Sequence, residues 1–329
     1  MAETEPVGPP EVGRAPEPLR AVEAALASEA ARRHYLGGES KVEIAAAMGV
    51  SRFKVARLLE AARAAGIVRI EIVEPGGVDG ELSARLRAAY GLRRCLVVDC
   101  ADDAPRLRAQ VGSAGADVLL DLVGPDDVLG LPWARTVSAL LDALPALPPV
   151  PVVQLSGSMV IPGEHSPVDM VRAAAGLAGG EAHVYYAPFI LDDAESAAAM
   201  RRQAAVARAM DEVARVTVAV VSIGAWVPGH STIHDAVDPA VRADVAATGA
   251  VGEALGVFVD AEGRAVHPEL ETRMVTIGHE QLRRIPETVA LATGAAKAAA
   301  VRAFLLGGWV DTLVTDRSLA TVLVRAAGA

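Results

Sequence analysis

The chain has 329 residues, 52% of them hydrophobic and 22% charged, with a formal net charge of −10 and a mean hydropathy of +0.33. That length allows two domains at roughly 100–200 residues each. The apolar content excludes a wholly disordered chain, and no run approaches the ~18–20 apolar residues of a membrane span.

Residues 1–18, MAETEPVGPPEVGRAPEP, are rich in proline and glutamate and read as a disordered tail. They lack the basic start and apolar centre of a signal peptide, so a cytoplasmic location is expected. From Leu19 the composition turns helical, with apolar Leu19, Val22 and Leu26, and the run stops at Gly37-Gly38. Ser40-Lys41-Val42-Glu43 is a capping box opening a second helix that Gly49 ends. Ser51 caps a third helix, which runs to about Ala65. VRIEIV then reads as a strand before the breaker Pro75-Gly76-Gly77.

Within this head, KVEIAAAMGVSRFKVARLLEAA has the spacing of a helix-turn-helix. Ala45 is the small residue where the helices approach, and Gly49 is the turn. Ile44, Met48, Val50, Val55 and Leu58 form the apolar lock. At 100° per residue, Val55, Leu58, Leu59 and Ala62 share one face of the third helix, while Phe53 and Arg57 point the other way with Lys54 beside them. A phenylalanine facing water fits contact with thymine methyls in a major groove. Residues 41–69 carry six cations (Lys41, Arg52, Lys54, Arg57, Arg63, Arg69) against two anions (Glu43, Glu60), on a chain that is acidic from residue 73 onward. A basic module on an acidic protein is the electrostatic footprint of DNA binding. Lys41, Ser51, Arg52, Phe53, Lys54 and Arg57 are the candidate DNA contacts, with a solvated helical hairpin as the alternative.

From about Asp79, Val-rich strand patterns alternate with helical ones. RCLVVD, DVLGL, PVVQL, VTVAVVSI, ETVALAT and DTLVTD are the strands. This alternation predicts a doubly wound, mostly parallel α/β domain. The domains are therefore a tail (1–18), a helix-turn-helix domain (19–74) and an α/β domain (79–329). Cys95 and Cys100 flank one strand and fit neither a disulfide framework nor a zinc pattern.

Open parallel sheets bind ligands beyond the carboxyl ends of their strands. After DVLGL, the segment Gly130 to Thr136, with Trp133, Arg135 and Thr136, opens a helix able to hold a phosphate or another anion. Gln154, ending a strand before Ser156-Gly157-Ser158, suits polyol recognition. Asp260, after the apolar run GVFV, offers a carboxylate to sugar hydroxyls. Lys297 stands at a helix start, where a cation is disfavoured unless an anion meets it. His230 and His234 are four apart, a spacing a metal accepts on a helix, but they read as ordinary loop histidines. No nucleotide-binding fingerprint or nucleophile elbow is present, and no cofactor is expected.

These stretches together resemble the SorC/DeoR-type sugar-binding transcriptional regulators of bacteria. In the head the matching run is IAAAMGVSRFKVARLLEAARAAGIVRIEI; in the body they are DVLGLPWARTV, PVVQLSG, ATGAVGEALGVFVDAEG and LATGAAKAAAVRAFLLGGWVDTLVTDRSLA. The resemblance implies an effector domain of the sugar-phosphate isomerase and deaminase fold used as a sensor. It implies a sugar, sugar phosphate or polyol effector, double-stranded operator DNA as partner, and a homo-oligomer, usually a tetramer. By position, Gly130 to Thr136, Gln154, Asp260 and Lys297 become the effector contacts. Pro132 and Ala134 depart from the usual Ser or Thr and Gly of that loop, and Ser156-Gly157 replaces a common Gly-Gly. The rival reading is a sugar-phosphate isomerase or deaminase-like enzyme with an accessory head, for which Asp260 is the one candidate base.

Overall fold

The computed structural model describes residues 20–68, 77–99, 104–159 and 166–328. The tail expected over 1–18, most of the VRIEIV strand and Cys100 lie outside the described residues. The chain divides into two compact units, Met1–Val73 and Glu74–Ala329.

In the first unit, α1 (Ala21–Ala31) continues through a π-helical turn (Arg32–Leu36) to Gly37. The helix α2 (Lys41–Met48) opens on the expected capping box: Ser40 accepts from the Glu43 N–H while Glu43 reaches back to the Ser40 N–H. Gly49 closes it at φ +64°, a conformation that costs a side-chain-bearing residue about 1–2 kcal/mol. The Ser51 hydroxyl caps α3 (Arg52–Ala64). Ile44, Ala45, Val55, Leu58, Leu59 and Ala62 form the buried core as the periodicity predicts. On α1, Leu26 packs against this core as expected, whereas Val22 is exposed and Ala27, Ala30 and Ala31 are buried.

The second unit opens with α4 (Gly80–Tyr90), capped by Asp79. Seven parallel strands follow: β1 (Arg94–Val98), β2 (Leu129–Leu131), β3 (Val152–Gln154), β4 (Ala182–His183), β5 (Val218–Ser222), β10 (Glu287–Ala292) and β11 (Thr312–Asp316). Their spatial order is β1-β11-β10-β5-β2-β3-β4. Between them run α5 (Ala104–Leu122), α6 (Arg135–Ala143), α7 (Pro167–Ala178), α8 (Ala194–Arg202), α9 (Ala204–Asp211), α13 (His279–Arg284), α14 (Ala298–Leu306) and α15 (Arg317–Ala327). Both faces of the sheet are apolar. Val218, Val220, Val289 and Leu291 pack one way, toward α5 to α7. Ala219, Val221, Ala290 and Ala292 pack the other way, toward α14 and α15. Two-sided burial is why these strands read as continuous Val/Leu/Ala runs rather than alternating ones.

The doubly wound parallel sheet agrees with the expected fold class. An inserted four-stranded antiparallel sheet does not appear in that expectation: β6 (Gly224–Ala225), β7 (Gly252–Ala254), β8 (Val257–Val259) and β9 (Ala265–Val266), in that order. Its strands are two or three residues long, and β7 to β9 follow one another without the helices whose alternation with strands carried the expectation. Between β6 and β7 lie α10 (Thr232–Ala236) and α11 (Pro239–Ala247), and after β9 comes α12 (Glu269–Thr272).

Candidate functional site

In the first unit, α3 turns its apolar stripe inward, and its opposite side leaves Phe53 80% exposed. Lys41, Ser51, Arg52 and Arg57 are exposed as well, and Lys54 is half-buried. Phe53 and Arg57 are one helical turn apart and so share a face. The Ser51 hydroxyl is occupied in capping α3.

In the second unit, the parallel sheet reverses its winding between β2 and β5. From β2 the chain proceeds outward through β3 to β4, and from β5 it proceeds the other way through β10 to β11. Such a switch point leaves a crevice beyond the strand ends, and a cavity of about 320 Å³ lies there. Its walls come from the segment after β2 (Pro132 to Thr136), the segment after β3 (Ser156, Gly157), the end of β5 (Ser222 to Gly224), the turn Gly229 to Ile233, and Thr293, Gly294 and Lys297 after β10. Arg108 of α5 and Glu253 and Leu255 of the antiparallel sheet complete it.

Each wall residue is fixed by its own local structure. Thr136, in the first turn of α6, donates from Oγ1 to the Ser222 hydroxyl at 3.0 Å. Glu253 is buried on β7 and accepts from the Ser231 hydroxyl at 2.8 Å. The hairpin from β7 to β8 has a two-residue loop, Leu255-Gly256, with both φ angles positive (+57° and +81°), as a type I′ turn requires. Leu255 takes up this strained conformation beside the cavity, and the Gly256 N–H bonds to Glu253. A Cβ on Gly224 would lie 2.3 Å from Glu253 Oε1 and 2.9 Å from Ser231 Cβ, so the bare Cα lets β6 approach the Ser231–Glu253 pair.

Lys297 occupies a 3-10 turn (Ala295–Lys297) before α14, and its ammonium donates to the Ile223 carbonyl at 2.9 Å. Burial lowers the Lys297 pKa, and the charges of Arg108 and Arg135 push the same way, opposed by Glu253. Burial raises the Glu253 pKa, opposed by its bonds from Ser231 and Gly256 and by Lys297. Three cations and one buried carboxyl therefore share one crevice. Asp235, also in the wall, accepts from the Gly229 N–H at 3.0 and 3.1 Å.

Of the residues expected at the effector site, the structure brings Trp133, Arg135, Thr136, Ser156, Gly157 and Lys297 together in the cavity wall. It does not bring Gly130, Gln154 or Asp260 there. Gly130 lies inside β2, where a Cβ would press on Val216 and Leu155 at 2.9–3.0 Å, so its role is packing. Gln154 is fully buried: its amide donates to the Ser156 carbonyl and accepts from the Tyr185 N–H, tying β3 to its neighbours. Asp260 follows β8 in the antiparallel sheet, and its oxygens are taken by the Glu262 and Arg264 N–H groups and the Arg264 side chain. The apolar run before Asp260 imitates a parallel-sheet strand, which is why it misleads. Gly157 is in the wall because its bare Cα lets the chain pass the Pro188–Phe189 backbone; a Cβ would stand 2.6 Å from the Pro188 carbonyl oxygen.

Sequence reasoning missed Arg108, Ser222, Ser231 and Glu253. Glu253 did carry a signal, a lone carboxylate in the small, apolar run Gly252-Glu253-Ala254-Leu255. Arg108 carried none, because arginine in an early helical turn is commonplace. His230 lines the cavity, whereas His234 packs edge-on to Trp226 and bonds through Nδ1 to Asp235 at 3.0 Å. Cys95 is half-buried in β1, and burial pushes its thiol up to about 12.

Residues 78–325 match the family described as "Putative sugar-binding domain". The erythritol catabolism regulatory protein EryD of Brucella abortus is 29% identical over 307 residues, covering 91% of this chain and 96% of that protein. The transcriptional regulator LsrR of Klebsiella pneumoniae is 27% identical over 317 residues, 94% of this chain and 95% of that one. The full-length sorbitol operon regulator SorC of Klebsiella pneumoniae has the same fold, with a TM-score of 0.71 at 23% identity over 92% of this chain and 100% of that chain. The family match spans most of the sequence, so the chain belongs to this family of sugar-binding domains and is a SorC/DeoR-type transcriptional regulator.

Proposed function

We propose that the cavity at the β2/β5 switch point is the effector site, and that its effector is a sugar carrying a phosphate. The observation that carries this reading is the convergence of Arg108, Arg135 and Lys297 on the walls of one crevice. Three cations in one crevice with one buried carboxyl leave an excess of positive charge there; a phosphate offsets it and accepts from the helix start at Arg135. Thr136, Ser222, Ser231 and Glu253 then face the hydroxyls of the sugar. Arg108 supplies a cation that compensates for the N–H and hydroxyl lost at Pro132.

An unphosphorylated polyol is the second reading. Pro132 in the anion loop favours it, and the relative EryD is named for erythritol catabolism.

In the head, Lys41, Arg52, Phe53, Lys54 and Arg57 are proposed to contact operator DNA in the cytoplasm, with Ser51 setting the start of the reading helix. Paired operator half-sites call for a homo-oligomer, and a tetramer is the expected state. The effector changes operator affinity only as far as it binds two states of the regulator unequally.

Thermal shift with paired sugar phosphates and their free sugars tests the site, because a ligand that binds the native state alone raises the melting temperature. Phosphorylated ligands should raise it, and Lys297→Ala should reduce the rise. A free polyol that binds as tightly as any phosphate ester, and equally well to Lys297→Ala, would overturn the phosphate reading. A gel shift with and without that ligand then reads the coupling to DNA.

A further inference from the structure

Outside the cavity, among the described residues, one trio of side chains places its ligand atoms within 4.8 Å of one another: His267, Glu271 and His279. We propose that these three residues form a binding site for one divalent transition-metal ion of the zinc class.

The geometry supports three ligands closing on a single ion. Glu271 offers both carboxylate oxygens, one to each ring: Oε2 lies 2.8 Å from His267 Nδ1, and Oε1 lies 3.9 Å from His279 Nδ1. With metal–nitrogen and metal–oxygen bonds of about 2.0–2.2 Å, neighbouring ligand atoms on a tetrahedral ion stand about 3.3–3.5 Å apart. All three donor atoms lie within 4.8 Å of one another, and the 2.8 Å hydrogen bond between His267 and Glu271 opens for an ion to enter. The imidazole rings themselves are in contact, with centroids 4.7 Å apart and planes tilted by 55°. Two imidazoles and one carboxylate thus converge on one point, an arrangement that a cation between them would bind together.

The ligand chemistry selects the ion. Two imidazoles and one carboxylate suit zinc, nickel or cobalt, whereas magnesium and calcium prefer all-oxygen sites. All three side chains are partly open to solvent, which leaves coordination positions for water.

The backbone around the trio is anchored. Leu270 and Met274 are 1% exposed, as is Ile277, and Leu282 is 2% exposed. Arg273 donates to the Leu191 carbonyl at 3.0 Å, and the Gly278 N–H donates to Gln281 at 2.9 Å. A metal here would join Glu271 to His279 and so close the segment between them. That segment supplies the Val275 carbonyl to the Gly157 N–H at 2.8 Å and pairs Thr276 with Ser156.

The test uses the full chain without an affinity tag, stripped with a chelator and dialysed, then titrated with Zn²⁺ by calorimetry and thermal shift. Cobalt substitution gives a visible ligand-field band as a second readout. The expected result is one Zn²⁺ per chain, a higher melting temperature that Mg²⁺ and Ca²⁺ do not produce, and at least tenfold weaker binding in both His267→Ala and His279→Ala. Glu271→Gln should weaken binding while leaving the metal-free melting temperature close to wild type. If an alanine variant is unstable without metal, His279→Gln takes its place. No stoichiometric binding by the wild-type chain, or binding unchanged in the histidine variants, would overturn the proposal.

Discussion

The two units display their chemistry in opposite ways. The head turns its candidate contacts outward, with Phe53 and Arg57 standing clear of a small core made largely of alanine, valine and leucine. The body turns its candidate contacts inward, where Glu253 and Lys297 are withdrawn from bulk water and each has its pKa displaced by burial. An outward site is specified by one helix and so by one short stretch of sequence. An inward site is assembled from the ends of strands that are remote in sequence and adjacent only after the sheet forms. The difference also sets the energetics. Outward residues act through solvent-screened charge and shape, whereas an inward charge holds its state only through specific partners.

The largest expected effect tests whether the head core is the thin structure described. Leu58 is 1% exposed in a core with few other large side chains. Leu58→Ala should cost about 2–5 kcal/mol of head stability. Denaturant titration followed by protection of the head against proteolysis reads it. Next come two cations, one from each unit. Arg57→Ala should weaken operator binding by about 1–3 kcal/mol while leaving effector binding intact. Lys297→Ala should do the reverse, weakening a phosphorylated effector by about 1.5–3 kcal/mol, as for a lost charged hydrogen bond. A gel shift and calorimetry on both variants give the four values. Crossed losses would break the division of labour.

The pH dependence of the body sharpens the same comparison. Burial raises the folded-state pKa of Glu253, so above the ordinary glutamate range the unfolded chain releases a proton that the folded chain retains. Stability must therefore fall as pH rises through that window, the opposite of an exposed, ion-paired carboxylate. For Lys297 the folded pKa is lowered, so in the window just below the ordinary lysine value the unfolded chain binds more protons and stability rises with pH. Glu253→Gln should remove the first trend. The difference in melting temperature between wild type and variant, followed from about pH 5 upward, isolates it from other groups. A difference that stays flat with pH would show that Glu253 is ionised in the fold.

Legibility in the sequence follows the same line. The capping box at Ser40, the turn at Gly49, the cap at Ser51 and the buried face of α3 were all readable, because each rests on residues within one helical turn of each other. Six of the seven parallel strands were readable too, since a strand buried on both faces is a continuous apolar run. Gln154 and Asp260 fall outside the cavity wall, and a common reason lies behind both. A polar residue at a strand end looks like a ligand contact until its partners are known, and here the partners are the Tyr185 and Ser156 backbone for one and the Arg264 turn for the other. The antiparallel sheet that delivers Glu253 was not read, because Glu253 interrupts the apolar run of β7 and no helix separates β7, β8 and β9.

A smaller effect is expected at Tyr185, whose backbone N–H is held by Gln154. Its side chain is 1% exposed, and its hydroxyl has no hydrogen-bond partner among the described residues. A buried hydroxyl without a partner costs about 1–3 kcal/mol, so Tyr185→Phe should leave the body unchanged or stabilise it by about 1 kcal/mol. A destabilised variant would place an ordered water on that hydroxyl.

The smallest expected change in stability is at Phe53, and it carries the comparison furthest. At 80% exposure its ring contributes little to the head core, so Phe53→Ala should shift head stability by no more than about 0.5 kcal/mol. Its effect on operator binding should be larger than its effect on folding if, as proposed, the ring meets thymine methyls in a major groove. Leu58 should behave in the opposite sense, losing DNA binding only because the head unfolds. Measuring both variants at a temperature where the Leu58→Ala head remains folded separates the two cases. Under that condition Leu58→Ala should retain most of its operator affinity and Phe53→Ala should not. Equal losses in the two variants would mean that α3 presents a different face to DNA, and the outward half of the comparison would fall.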